Sequence, residues 1–194
     1  MTNQERNGRV VFLNGTSSSG KTTLARSIQD RANRPHLHWG IDGLFAMVPP
    51  RWGGGLDGPL SREGFWYDRT GHDERGPLAV IRYGPAGARM LAAGCRAAAE
   101  LVRGGNDLII DEMLLAPELA PLWLDALRGL DVLFVHVTCP LPLLEERERA
   151  RNNPAGLARG HLATTGEAPF DYGLVVDTST ASPEELADTV LNLG

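Results

Sequence analysis

Lysine is all but missing from this 194-residue chain: of 19 basic side chains, 18 are arginine and one, Lys21, is lysine. The arginines are scattered or interleaved with glutamate, and the net charge is −5. Such a surface offers no broad basic face to hold a phosphate backbone, which excludes a nucleic-acid partner. Cysteine is scarce too. Cys95 sits in an Ala-rich helical stretch and Cys139 ends an apolar strand, a placement of two reduced core thiols rather than of a disulfide framework or a ligand pair. No apolar run approaches the ~18 residues of a membrane span, so no membrane partner is expected. Met1 to Gly8 is polar and lacks the apolar centre of a signal peptide. The expectation is a cytoplasmic protein with those eight residues loosely ordered. Repeats and low-complexity tracts are also missing. What remains is an ordinary globular composition, 42% hydrophobic and 22% charged. It suits a single domain over 1–194 that buries roughly 70% of its unfolded surface.

The one lysine lies in Gly15-Thr16-Ser17-Ser18-Ser19-Gly20-Lys21-Thr22, which matches G-x-x-x-x-G-K-[ST]. That spacing makes a loop whose backbone N–H groups cradle phosphates, with a compact ammonium between β- and γ-phosphates where a planar guanidinium would not fit. Val10-Val11-Phe12-Leu13 before it reads as a buried parallel strand, and Thr22 to Arg31 after it as a helix whose N-terminus faces the anion. Gly15, Thr16, Ser17, Ser18, Ser19, Gly20, Lys21, Thr22 and Thr23 are therefore the predicted nucleotide-binding residues.

Apolar strand-like runs alternate with helical segments along the rest of the chain. Leu37-His38-Trp39 leads into Gly40-Ile41-Asp42. Residues 49–77, dense in Gly, Pro, Arg and aromatics, show neither period and are too long for a plain connector. Gly84-Pro85 opens a long helix that stops at Gly104-Gly105. Leu108-Ile109-Ile110 is a strand, Pro117 to Leu127 a helix, and Val132 to Val137 a strand apolar enough to be covered on both faces. A charged helix from Leu143 to Arg151 is followed by a break at Asn152-Asn153-Pro154 and a short helical piece through Leu162. Leu174-Val175-Val176 is the last strand. Ser182-Pro183-Glu184-Glu185 is a capping box opening a helix with Leu186, Val190 and Leu193 inward. Alternation of this kind predicts a five-stranded parallel sheet with helices on both faces, its strand ends on one edge. Gly15, Asp42 and Asp111 converge there.

Three sets of residues at that edge suit phosphoryl transfer. Asp111, directly after three aliphatics, is placed to hold Mg²⁺ together with the Thr22 hydroxyl; the alternative is a helix cap. Asp42 ends the second strand, where a carboxylate can take the proton of an attacking hydroxyl; the alternative is a cap on a short helix starting at Leu44. Arg147 and Arg151 are four apart and share one helical face. They are placed to reach phosphate from a lid over 140–163, against the alternative of a solvated helix stitched by Glu-Arg pairs. Phe45, Trp52, Phe65, Trp66, Tyr67 and Tyr83 cluster in or beside 49–77, either as an apolar acceptor pocket or as a private core for that segment. His36, His38 and His136 have no third ligand nearby and read as structural.

Taken together, Leu13 to Lys21, Gly40-Ile41-Asp42, Ile109-Ile110-Asp111-Glu112, Arg147-Glu148-Arg149-Ala150-Arg151, Asp171-Tyr172 and Val176-Asp177-Thr178-Ser179 resemble the chloramphenicol phosphotransferase family of small P-loop kinases. The resemblance runs from about residue 9 to residue 180. It implies a nucleotide/shikimate kinase-like P-loop fold and ATP- and Mg²⁺-dependent phosphorylation of a hydroxyl on a small antibiotic. It also implies Asp42 as base, Lys21 with Arg147 and Arg151 on phosphate, and Thr178 near adenine. The chain departs from the family in a long 49–77 segment and in Asn152-Asn153-Pro154, where a further basic residue is expected. A metabolic kinase for a nucleoside or polyol, and a nucleotide-gated binding module without chemistry, remain alternatives.

Overall fold

A computed structural model describes residues 7–54 and 57–193. Five strands form one all-parallel sheet: β1 (Arg9–Asn14), β2 (His36–Gly40), β5 (Asp107–Glu112), β6 (Asp131–Thr138) and β7 (Tyr172–Asp177), in the order β2-β5-β1-β6-β7. The expected doubly covered sheet is what these residues build. Alternate side chains of β1 feed two cores, because successive strand residues point to opposite faces. Val10 and Phe12 join the face covered by α3 (Pro85–Arg103) and α4 (Leu119–Ala126). Val11 and Leu13 join the face covered by α1 (Lys21–Arg31) and α8 (Pro183–Leu191). All four are at most 5% exposed, which is why the strand reads as an unbroken apolar run.

Register fixes where the motifs meet. Leu13 and Gly40 both pair with Asp111, and Asn14 pairs with Glu112. The chain that follows β1, the start of α2 (Ile41–Met47) and the end of β5 therefore share one sheet edge.

The stretch 49–77 differs from the expectation. After a 3-10 turn at Pro50–Trp52, β3 (Phe65–Asp73) and β4 (Gly76–Tyr83) pair as an antiparallel hairpin. Its sequence hides it: only Phe65 is buried in β3, the register shifts between Asp68 and Gly71, and Gly71 and Pro77 stand in the strands. A two-stranded ribbon with such composition has no period-2 signal. The aromatics divide between both expected roles. Phe45 and Phe65 are core residues with rings 4.9 Å apart, and Phe45 and Tyr67 both line the cleft described below.

Smaller differences lie at element ends. The segment expected to form a lid comprises α5 (Leu141–Ala150), α6 (Leu157–Gly160) and α7 (Leu162–Gly166), so helix continues past the expected stop at Leu162. Leu193 lies beyond α8 and is 51% exposed rather than inward, while the Ser182–Glu185 capping box forms as expected. Cys95 is buried, and burial pushes its thiol up to about 12, whereas Cys139 is only half-buried. Among the described residues no helix is long and apolar enough to cross a membrane. The loose order expected of Met1 to Gly8 falls mostly on residues 1–6, outside the described ones.

Candidate active site

The loop between β1 and α1 is built as an anion cradle. Gly20 caps α1 with φ 99°, a left-handed conformation that glycine adopts without a Cβ penalty, and Ser18 takes φ 64°. Gly15 N–H donates to the Glu112 carbonyl, which ties the loop to β5. The Ser18 and Ser19 hydroxyls are buried and unpartnered among the described residues. Lys21 Nζ lies buried, donating to the Thr16 carbonyl at 2.9 Å and standing 3.9 Å from Asp111 Oδ1. Burial lowers the Lys21 pKa, opposed by the charges of Asp111, Glu112 and Asp42. A buried ammonium, two orphan hydroxyls and a helix N-terminus fit a polyphosphate.

Beside the cradle, Thr22 Oγ1 donates to Asp111 Oδ2 at 2.6 Å. Burial works to raise the Asp111 pKa but is outweighed by His38, Lys21 and Thr22, which hold the carboxyl below its usual range. An ionised carboxylate next to a hydroxyl is an oxygen donor set suited to Mg²⁺. His38 Nε2, 3.4 Å from Asp111 Oδ2, also belongs to this cluster, although its sequence context reads as structural. The only signal for it in the sequence is its place two residues before Gly40, on the strand that leads into Asp42.

Asp42 is not a cap. The helix starts at Ile41, its N-cap is Gly40, and no side chain caps it. Asp42 instead occupies the first turn, exposed, with no side-chain hydrogen bond or ion pair among the described residues. It opens onto a cleft of about 670 Å³ that Lys21, Thr22, Asp111 and Arg151 also line. Tyr67 and Ile81 from the hairpin form another wall. Tyr67 is one of the aromatics expected either of an acceptor pocket or of a private core, whereas Ile81 gives no such signal, because the hairpin that carries it is not legible in the sequence.

The two lid arginines are placed differently. Arg147 Nη1 donates to Thr178 Oγ1 at 2.8 Å and to Cys139 Sγ at 3.4 Å, and Nη2 donates to the Thr178 carbonyl at 3.2 Å. Thr178 in turn donates to the Ser19 carbonyl at 2.7 Å. Arg147 therefore locks the turn after β7 against the phosphate loop, beside a second pocket of about 180 Å³ lined by Gly20, Thr23, Thr178 and Pro183. Arg151 lines both that pocket and the cleft.

Glu148 shows why the lid has its shape. Buried to 3% exposure, its two carboxyl oxygens accept the backbone N–H groups of Gly156 and Ala158, each at 2.7 Å. The Ala158 carbonyl accepts the Thr16 hydroxyl at 2.5 Å, which fastens the lid to the phosphate loop. Glu112 is buried as well, 4% exposed. Burial pushes it up to about 8 against the hydrogen bond from the Trp123 indole.

Comparison with known proteins gives the family and the fold. The family model described as "Chloramphenicol phosphotransferase-like protein" matches residues 8–193. A Mycobacterium tuberculosis protein, whose own assignment as an O-phosphotransferase is provisional, is 30% identical over 187 residues, which are 93% of this chain and 79% of that protein. Among solved structures, a sugar kinase from Janibacter sp. HTCC2649 superposes with TM-score 0.65 at 20% identity, covering 95% of this chain and 93% of the other. The Mycobacterium tuberculosis APS kinase CysC, solved with AMPPNP and APS, gives TM-score 0.61 at 18% identity, covering 97% and 98%. At such identities the two structures speak for the fold alone.

Proposed function

The chain belongs to the chloramphenicol phosphotransferase-like family, and from that premise we propose that it transfers the γ-phosphoryl group of ATP to a hydroxyl of a small molecule, an antibiotic such as chloramphenicol. The observation that carries the reading is Asp42, an unpartnered carboxylate in the same cleft as Lys21, Thr22, Asp111 and Arg151. A protein that only senses nucleotide has no use for a free carboxylate there.

In this reading the phosphate loop and Lys21 hold the β- and γ-phosphates, and the pocket beside Thr23 and Thr178 holds the base side of the nucleotide. Thr22 and Asp111 hold Mg²⁺, which when bound neutralises charge on the phosphate oxygens. The acceptor hydroxyl gives its proton to Asp42 as its oxygen forms a bond to the γ-phosphorus. The bond from phosphorus to the β,γ-bridging oxygen breaks, and ADP leaves with that electron pair. Arg151 offers positive charge to the phosphoryl oxygens in flight, and Arg147 keeps the Thr178 turn and the lid helix in register.

The test is coupled ADP release with Mg²⁺-ATP across chloramphenicol, other hydroxylated antibiotics, nucleosides and polyols, with Lys21→Ala as blank. Acceptor-dependent release by the wild type alone is expected. ATP binding with no release for any acceptor would replace the reading with the nucleotide-gated binding module.

A further inference from the structure

Glu112 ends β5 one residue after Asp111, and nothing in the transfer step uses its side chain. It is 4% exposed. Oε2 accepts the Trp123 indole N–H at 3.1 Å, while Oε1 is buried without any partner among the described residues. A buried carboxyl oxygen left without a donor is costly and rare, and it calls for a group that completes it. Beside Glu112 lies a crevice of about 10 Å³, walled by Trp39, Ile41, Leu44, Leu91, Cys95 and Trp123. That volume takes one water-sized group and no more. Ile41 also lines the large cleft and precedes Asp42, so the crevice borders the place where the acceptor would sit.

We infer that this crevice is an acceptor subsite in which Glu112 Oε1 accepts a hydrogen bond from a second hydroxyl of the acceptor, while a first hydroxyl faces Asp42. Apart from Glu112 the walls are hydrocarbon, two indoles and the Cys95 thiol, with no charged group, so the group that enters is a neutral donor on an apolar frame. Larger groups such as carboxylate or phosphate are refused by size. The substrate class is thus an uncharged molecule with at least two hydroxyls. Oε1 has a lone pair for this bond whether or not the carboxyl carries a proton. The inference rests on the cleft being the acceptor site.

Its test separates the two ideas. The ¹⁵N-labelled protein, saturated with a non-hydrolysable ATP analogue, is titrated with chloramphenicol, adenosine and sorbitol, each beside an analogue lacking one hydroxyl. The Trp123 indole N–H resonance reports on the carboxyl it touches. At least one intact compound is expected to move it, and its deoxy analogue is not. In turnover, the wild type is expected to prefer that intact compound by on the order of 10- to 100-fold in kcat/KM, a ratio that falls toward one in Glu112→Gln. Glu112→Gln keeps an acceptor for Trp123, and an unchanged melting temperature verifies its fold. A Trp123 resonance that no compound moves, or a hydroxyl preference that survives in Glu112→Gln, overturns the inference whatever the enzyme turns over. Movement without ADP release retains the subsite and removes Asp42 as base.

Discussion

Ile81 of the cleft wall donates its backbone N–H to Nε2 of His161, between the lid helices, at 2.8 Å. The hairpin and the lid are one joined body at this point. Arg159 extends the seam, pairing with Asp73 and donating to the Pro77 carbonyl at 2.9 Å. Because Tyr67 and Ile81 line the cleft and Arg151 closes it, the wall and the lid arginine are carried on connected elements.

That bond gives the fold an acid-sensitive point. His161 is 1% exposed, and burial pushes it down to about 4 from the usual 6.5. Between pH 6.5 and about 4 the unfolded chain binds a proton there that the folded chain does not, so stability falls as pH falls through that window. The loss amounts to about 3 kcal/mol. His161→Gln, which keeps an acceptor for the Ile81 N–H but does not titrate, is expected to flatten this acid slope. Urea melts of both proteins at pH 7 and pH 4.5 check it, and equal slopes would show that His161 is not the group responsible.

The lone lysine makes Lys21 uniquely addressable. An amine-reactive ATP analogue is expected to add one label to a side chain, at Lys21, with excess ATP blocking it; peptide mass spectrometry reads the site. Lys21→Ala is expected to lose transfer by 10²-fold or more while keeping its melting temperature, since the ammonium is buried at a cost in desolvation rather than as part of the core.

Asp42 is exposed and has no side-chain hydrogen bond or ion pair among the described residues, so its removal tests chemistry with little cost to the fold. Asp42→Asn is expected to bind ATP as the wild type does and to lose kcat by about 10²- to 10⁴-fold. Single-turnover kinetics with the best acceptor decide it. Retained transfer would leave Asp42 only the lesser role of favouring the N-terminus of α2.

Glu148 holds two lid N–H groups with one buried carboxylate. Glu148→Ala is expected to destabilise the protein by about 2–4 kcal/mol, because two buried donors lose their partner. The KM for ATP should rise as well, since the same loop holds Thr16 through Ala158. A lowered melting temperature with an unchanged KM would confine Glu148 to stability.

Gly160, like Gly156, meets the hairpin backbone closely. A Cβ there would stand 2.1 Å from the Ala79 carbonyl oxygen and 2.8 Å from Val80 Cγ1. Gly160→Ala is expected to prise α6 from β4 and to raise the KM for the acceptor more than the KM for ATP. Steady-state kinetics with each substrate varied in turn distinguish this from a general loss of fold.

Features set by neighbours along the chain were legible before the fold was known. The phosphate loop between an apolar strand and a helix, the strands with continuous aliphatic runs and the Ser182–Glu185 box all depend on residues within a few positions of one another. Parallel order followed from the alternation of these elements, and with it the meeting of Gly40 and Asp111. What escaped depends on partners far away in sequence. The hairpin shows no period because its ends are held by α6, some 80 residues later, and not by a two-faced sheet. Nothing near Arg147 in the sequence shows that its guanidinium bonds Thr178, 31 residues on. His38 looks structural until register sets it 3.4 Å from Asp111. Glu112 looks like one more acid after a strand, and only packing against Trp123 and Trp39 buries it with one oxygen unanswered. The elements and the phosphate-loop motif can be read from the chain alone, because backbone preference and short spacing act locally. The tertiary structure alone decided which charges are paired, buried or left free for a substrate, because that depends on what the fold brings within a hydrogen bond's reach.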